Sequence, residues 1–239
     1  MEGRSKTLSL MKLASGIAAM LVVLAAALPA RPQAQISSYA TMAPIEEYGM
    51  AQQAEIKLAR SAAPASISRD AEILTLGQHG FEPAVKGKNG FVCTVQRAWA
   101  AGIDDPQFWN PKVRAPICFN AAAARSYLPR ALKKTQWALA GLSKAQIAEK
   151  MKEAFDKNEI TAVEPGAMCY MMSKDGYLSD RDGHWHSHLM FFVPATDPEA
   201  WGAGAQDSPL LGSKNELERV TIFLLPTDKW SDGSASPTM

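Results

Sequence analysis

The chain has 239 residues, of which 25 are lysine or arginine and 24 are aspartate or glutamate. The first 34 positions hold four of the basic residues and one acid, so the rest carries 21 basic and 23 acidic residues, a net charge near −2. Nucleic acids and anionic membrane surfaces bind concentrated basic faces, and this balance argues against both as the main partner.

The N-terminus has the three parts of a secretory signal peptide. Arg4, Lys6 and Lys12 precede an uncharged apolar run that ends in small residues around Pro29. The run is shorter than the roughly 20 residues that a spanning helix needs, which favours a cleaved signal over an uncleaved anchor. We therefore predict a signal peptide over residues 1–34 and an exported protein, periplasmic or extracellular. Residues 35–239 are predicted to form one globular domain without a transmembrane span.

The predicted domain begins with a polar lead-in and a helix. Residues 35–43 are small and polar and are expected to be loose. Pro44 is predicted to open a helix that runs to about Ala62, because apolar residues recur there at approximately helical spacing. The segment 61–68, Ser-Ala-Ala-Pro-Ala-Ser-Ile-Ser, has the composition of a linker.

The middle of the chain contains strand and helix patterns. Strands are predicted at residues 72–76 and 91–99, with the turn pair Asn89-Gly90 leading tightly into the second. A loop over residues 100–117 is expected to be ordered, because its aromatic residues need burial. Two amphipathic helices are predicted to follow, over residues 121–140 and 143–157. Asn120 caps the first of them and Pro129 is expected to kink or break it.

The last part of the chain returns to strands. They are predicted at residues 167–173, 184–193 and 219–225, with a long loop over 195–216. The tail 231–239 is expected to be loose. Strands at both ends and helices between them predict an α+β domain, with a mostly antiparallel sheet and amphipathic helices packed on one face.

Three cysteines remain after the signal, at Cys93, Cys118 and Cys169. An oxidising compartment permits a disulfide, and the pair Cys93–Cys118 is favoured because each lies in a short apolar segment. Three buried cysteines without a bond are an equal alternative. The apolar neighbours of Cys169 favour a buried thiol over a nucleophile.

Three of the four histidines alternate at His184, His186 and His188. In a strand, alternate side chains point to the same side of the sheet, so these imidazoles would line one face. Imidazole is a common ligand of transition metals, and zinc is the ion that we expect first. Solvent-facing or ligand-facing imidazoles bonded to Asp180 and Asp182 are the competing interpretation, and acid–base groups without a metal are a third.

Geometry limits how many of these histidines can share one ion. Positions four apart in a regular strand are about 13.5 Å apart at Cα, which is too far for His184 and His188 to meet at one metal. Two strand histidines and a ligand from elsewhere are therefore expected. His79 is the only other histidine; the carboxylate alternatives are Glu82, Glu164 and Asp182.

A hypothetical hairpin register predicts a different set of ligands for this site. If Ser173 pairs with His184, then Met171 lies opposite His186 and Cys169 opposite His188, all on one face. Thiolate and thioether ligands beside imidazole favour copper over zinc. A slip of one residue sends Met171 and Cys169 to the other face.

These patterns support two functions. The first is a metal-binding protein or metal-dependent enzyme of unknown substrate, and no catalytic residue can be named because no hydrolase, nucleotide or dinucleotide motif is present. The second is a non-catalytic envelope protein that binds a small apolar ligand or a protein partner. Its groove would be floored by the sheet and walled by the loops of Trp109 and Trp201.

Overall fold

The computed structural model describes residues 39–180 and 186–237. The predicted signal peptide and His184 lie outside these residues. Eight strands form one sheet in the order β2-β1-β3-β4-β5-β6-β8-β7. Among the described strands only the pair β1 and β3 is parallel, and every other neighbouring pair is antiparallel. The predicted α+β class with a mostly antiparallel sheet is therefore confirmed.

Strands and helices alternate irregularly along the chain. The strands are β1 (Glu72–Gly77), β2 (Gly80–Val85), β3 (Val92–Gln96), β4 (Ala115–Phe119), β5 (Met168–Met171), β6 (His188–Pro194), β7 (Leu211–Asn215) and β8 (Val220–Pro226). The α-helices are α1 (Gln52–Arg60), α2 (Ala65–Ser68), α3 (Ala121–Ser126), α4 (Leu128–Leu139) and α5 (Lys144–Asp156). No helix in the described part of the chain combines the length and apolarity needed to cross a bilayer.

The N-terminal region is more broken than its pattern predicts. The expected helix over 44–62 consists of a 3-10 turn at Ile45–Tyr48 and the separate helix α1. The segment 61–68 is not a linker, because Ala62 and Ala63 are buried and α2 lies within it. Small residues allow this segment to pass close to the sheet, and composition alone does not distinguish such packing from a flexible connection.

The predicted turn at Asn89-Gly90 does not join a hairpin of the two expected strands. Instead β1 turns directly into β2 through Gln78 and His79, and β3 then pairs with β1 in parallel. Strand β2 was missed, since its Pro83 cannot donate to a ladder and argues against a central strand. The structure places β2 at the edge of the sheet, where a proline is tolerated.

The two helices predicted over 121–140 and 143–157 appear as three, and their limits follow the sequence signals. Asn120 Oδ1 accepts from Ala123 N and caps α3. The chain breaks at Tyr127 and continues as α4 with Pro129 in its first turn, as expected for a residue that fits only there. Ser143 and Gln146 form a reciprocal capping box at the start of α5.

The C-terminal region is more regularly structured than its composition predicts. The long loop predicted over 195–216 includes the edge strand β7, whose glycine and polar residues give a weak strand signal. The segment expected to be loose after residue 230 is hydrogen-bonded in the structure, with Ser231 Oγ donating to Ser61 O and Ser236 N to Asp228 O.

The two sides of the sheet are covered differently. We call the side that packs on α3 and α4 the inner side. Its core includes Leu74, Ile117, Phe119, Leu128 and Ala131, and α5 packs on α4. The opposite, outer side is covered by α1 over β1, β3 and β4. Helices α3, α4 and α5 thus share one side, as predicted, whereas α1 lies on the other.

A disulfide joins Cys93 and Cys118, which lie directly opposite each other on β3 and β4. Both are buried under α1 beside Ala59 and Ile73. The favoured cysteine pair is therefore confirmed, and Cys169 remains a buried free thiol. Disulfides are typical of oxidising compartments outside the cytoplasm.

Candidate functional site

The histidine segment enters the sheet at β6. His188 is the first residue of that strand, lies opposite Met171 and is 6% exposed. Its partner Met171 belongs to the inner core, so His188 faces the inner side. His186 and Ser187 precede the strand and are not part of it. The predicted alternation along one regular strand therefore does not extend back to His186.

Local hydrogen bonds hold this segment in place. His188 Nδ1 lies 2.7 Å from the carbonyl oxygen of His186, and His186 Nδ1 lies 3.3 Å from the carbonyl oxygen of Pro237. Ser187 Oγ is 2.6 Å from Thr227 Oγ1 and donates to Lys229 O. These contacts fix the backbone between the two histidines and tie it to the C-terminal segment.

Burial controls the charge of His188. Loss of solvent lowers the pKa of its imidazole below the ordinary value, and the nearby charge of His186 acts in the same direction. The hydrogen bond to the His186 carbonyl opposes this change without reversing it. His188 is therefore neutral at pH 7, which is the form that a metal ligand requires.

The guessed register of the β5–β6 pair is wrong by two residues. Met171 lies opposite His188, and Cys169 lies opposite Met190. A shift of two leaves each residue on its expected side but changes its partner. The connection between these strands is longer than a tight turn, so no turn geometry fixed the register from the sequence. The arrangement on which the copper interpretation rested is not present.

The other predicted ligands lie in separate places. His79 is in the turn between β1 and β2, at least four strand spacings from β6, roughly 19 Å along the sheet. Glu82 is on β2, and Glu164 is paired with Arg125 at 2.6 Å. In the part of the chain that the structure describes, no three His, Cys, Asp or Glu side chains lie where they could hold a metal. Asp182 and His184 are outside that part.

A polar cluster lies just before the segment 181–185. The carboxylate of Asp180 accepts hydrogen bonds from the hydroxyls of Tyr177 and Tyr39, and Lys112 Nζ lies 3.2 Å away. These donors lower the pKa of Asp180 to about 2, with Tyr177 as the largest cause. Burial and the neighbouring carboxylate raise the pKa of Tyr177 to about 12. The cluster anchors the chain at Asp180.

Cys169 is buried on the inner side, and burial raises the pKa of its thiol well above the ordinary range. A thiol that stays protonated at neutral pH is a poor nucleophile and a poor metal ligand. This agrees with the prediction of a structural cysteine.

The strand register extends the outer side beyond α1. Cys118, beneath α1, pairs with Tyr170, and Tyr170 pairs with Leu189. The same side therefore continues across β5, β6 and β8, where no α-helix of the described residues is packed over β6 and β8. We call this surface the bare face. Its apolar side chains are Met168, Tyr170, Leu189, Phe191, Val193, Phe223 and Leu225.

Aromatic side chains dominate the bare face at one end. Phe191 is 36% exposed and Trp201 is 57% exposed. The ring of Trp201 lies 4.9 Å from the ring of Phe223. These residues, with Val193 and Leu210, line an open apolar groove of about 200 Å³. The loop of Trp201 thus forms a wall of a groove floored by the sheet, as predicted.

Trp109 does not form the second wall. It is 3% exposed and packs edge-on against Phe108, with a ring separation of 4.7 Å, in a core with Tyr48 and Trp99. A tryptophan in a loop serves equally as a binding wall or as an anchor, and the sequence gives no means of choosing.

Sequence reasoning missed most of the bare face. The signal was the run Leu189 to Val193, Leu-Met-Phe-Phe-Val, which is apolar at every position instead of alternating. Such a run predicts a strand with apolar residues on both sides. Whether both sides are covered depends on helices from distant parts of the chain.

Comparison of the chain with protein-family models, curated proteins and solved structures gives no match.

Proposed function

We propose that this chain is an exported, non-catalytic binding protein that holds an apolar segment of a protein partner on its bare face. The observation that carries the proposal is Trp201, more than half exposed and packed on Phe223 beside the exposed Phe191. Exposed contiguous apolar surface is costly in water and commonly marks a binding site. Tryptophan is among the residues that contribute most to protein interfaces.

The size of the groove favours a protein partner over a small molecule. Its volume of about 200 Å³ is below the range of about 300–1,000 Å³ that is typical of small-molecule pockets. One or two apolar side chains of a partner fit such a depression, while the surrounding bare face supplies flat contact area. Export is supported by the N-terminal sequence pattern and by the Cys93–Cys118 disulfide.

The test places a photo-crosslinking amino acid at Val193 and, as a control, at Lys57 on α1, in cells that export the protein. The expected result is one crosslinked protein species from position 193 and none from position 57. The variant Phe191→Ser/Trp201→Ser should abolish that species while its far-ultraviolet circular dichroism stays unchanged. Equal crosslinking in the variant would refute the proposal. If instead a small apolar molecule co-purifies with the protein and is lost in the variant, the bare face binds a small ligand and not a protein.

A transition-metal site at the histidine segment is the second candidate. The favouring observation is the contact between His188 Nδ1 and the His186 carbonyl, because metal-binding imidazoles usually donate their other ring N–H to such a group. The candidate needs His184 as well, and zinc is the expected ion. Elemental analysis of protein purified without a polyhistidine tag should find zinc that a His184→Ala/His186→Ala variant lacks. Less than about a tenth of an equivalent after incubation with zinc or copper would exclude it.

A further inference from the structure

The two edges of the sheet differ in how they are protected. At one edge, β2 contains Pro83, has an irregular register with β1 and contacts α4. Prolines and bulges are the usual devices that prevent an edge strand from pairing with another chain. At the other edge, β7 has neither proline nor bulge, and its five residues pair with β8 without interruption.

Strand β7 is open on its free side. The first four of its five residues are exposed. Within the described residues, the backbone of β7 makes no hydrogen bond to any element other than β8. An edge strand presents a row of unpaired N–H and C=O groups, and another extended chain is the partner that satisfies them. Lys214, a residue type that discourages edge pairing, is neutralised by Glu216 at 2.6 Å.

An acidic cleft runs beside this edge. It has a volume of about 650 Å³ and lies between the loop 102–105 and β7. Ser213 pairs with Ile222, whose side chain packs on the inner core, so the cleft lies on the inner side of β7. Three acidic residues and one basic residue line the cleft, whose formal net charge is therefore negative. These groups are Asp104, Asp105, Glu216 and Lys214.

A buried lysine holds the two walls of the cleft together. Lys134 Nζ donates to the carbonyl oxygens of Ala100 and Ala101 at 3.0 Å and to Glu218 Oε1 at 2.6 Å. Glu218 lies between β7 and β8, and Ala100 and Ala101 lead into the loop 102–105. The separation of the walls is thus set before any partner binds, which reduces the entropy lost on binding.

We propose that β7 is a docking edge for an extended, basic protein segment, which adds to the sheet as a ninth strand. Backbone hydrogen bonds to β7 provide the attachment, and alternate side chains of the segment point into the cleft. Lysine or arginine at those positions meets the carboxylates of Asp104 and Asp105, which line the cleft and are not engaged by Lys214, so charge complementarity selects the partner. The cleft lies on the inner side of the sheet and the bare face on the outer side, so this proposal does not depend on the function proposed for that surface.

The probe is a capped octapeptide of alternating threonine and lysine, compared with its matched threonine–glutamate peptide. Threonine favours the extended chain in both. Backbone amide signals of the purified protein are followed during titration. The expected result is a selective shift of the signals of residues 211–215, with binding of the lysine peptide at least tenfold tighter and weakened by salt. Equal binding of both peptides, or shifts confined to the bare face around Phe191, would overturn the proposal.

Two kinds of variant test the backbone edge and the carboxylates of the cleft separately. Asp104→Asn/Asp105→Asn should weaken binding of the lysine peptide about fivefold, since each exposed ion pair contributes little, and should leave the fold intact. Neighbouring N–H groups of a strand point to opposite sides, so one of the variants Ser213→Pro and Lys214→Pro removes a donor at the free edge and the other breaks a bond to β8. The variant that keeps the fold should abolish binding. Unchanged peptide affinity in a folded proline variant would refute strand addition. Concentration-dependent dimers of the free protein, lost in the proline variant, would assign the edge to a second copy instead.

Discussion

The outer side of the sheet has two halves with opposite character. Over β1, β3 and β4, helix α1 and the Cys93–Cys118 disulfide leave the core fully buried. Over β6 and β8, the same side is apolar, no described α-helix packs on it, and the Trp201 loop shields part of it. The difference shows that an apolar strand face is a packing surface in one place and an exposed binding surface in another, depending on which helix reaches it.

Removing a buried charge tests the covered half most severely. Arg97 Nη2 lies 3.0 Å from Glu55 Oε1, and both side chains are at most 1% exposed. The contact has no well-aligned hydrogen bond, and burial lowers the pKa of Arg97 to about 10. Glu55→Ala leaves this cation unpaired and should destabilise the protein by about 3–5 kcal/mol.

Urea denaturation of the Glu55→Ala variant measures this loss. The matched control is Glu164→Ala, which breaks the exposed pair with Arg125 and should cost less than about 1 kcal/mol. Similar losses in the two variants would show that the covered half is not held by its buried pair.

Loss of the disulfide should have the next largest effect. The bond joins cysteines 25 residues apart, and a loop of that size restricts the unfolded chain by about 3.5 kcal/mol. Cys93→Ala/Cys118→Ala should lower the free energy of unfolding by that order, measured in urea without reductant. The control Cys169→Ala keeps the bond, and adding reductant should lower its stability further. A double variant as stable as the wild type would contradict the assignment of a structural role.

Truncation of matched apolar residues compares the two halves directly. Ile73 is fully buried under α1, whereas Phe191 is 36% exposed on the bare face. Ile73→Ala should cost about 2–5 kcal/mol, and Phe191→Ala only about 1 kcal/mol. The measurement is the free energy of unfolding in urea. If Phe191→Ala costs as much as Ile73→Ala, the bare face is part of the core and not a binding surface.

The smallest expected effect is the pH dependence of stability that arises from His188 at the start of β6. Because the folded pKa of His188 is below its unfolded value, the unfolded state binds the proton more readily. Stability should therefore be full above about pH 6.5 and fall as the pH drops below that value. His188→Gln should flatten this dependence between pH 7 and 5, as followed by urea midpoints. A wild type that gains stability on acidification through this range would contradict the lowered pKa of His188.

Local signals predicted the parts of the fold that are decided within a few residues. Asn120, Pro129 and Ser143 set the limits of α3, α4 and α5, because caps and prolines act on adjacent backbone groups. Two short apolar segments favoured Cys93–Cys118 as the pair, and the structure decided that the bond forms. Strands β2 and β7 were missed, since an edge strand needs neither an apolar face nor the usual strand residues.

By itself, the sequence determined an α+β domain with a signal-like N-terminus, a favoured but undecided cysteine pair and an unusual group of histidines. Only the tertiary structure decided that β3 lies parallel to β1, that Met171 faces His188, and that α1 stops short of β6 and β8. Register and helix placement depend on contacts between residues far apart in the chain, which a local pattern does not specify. The bare face and the open edge at β7 are consequences of those long-range choices.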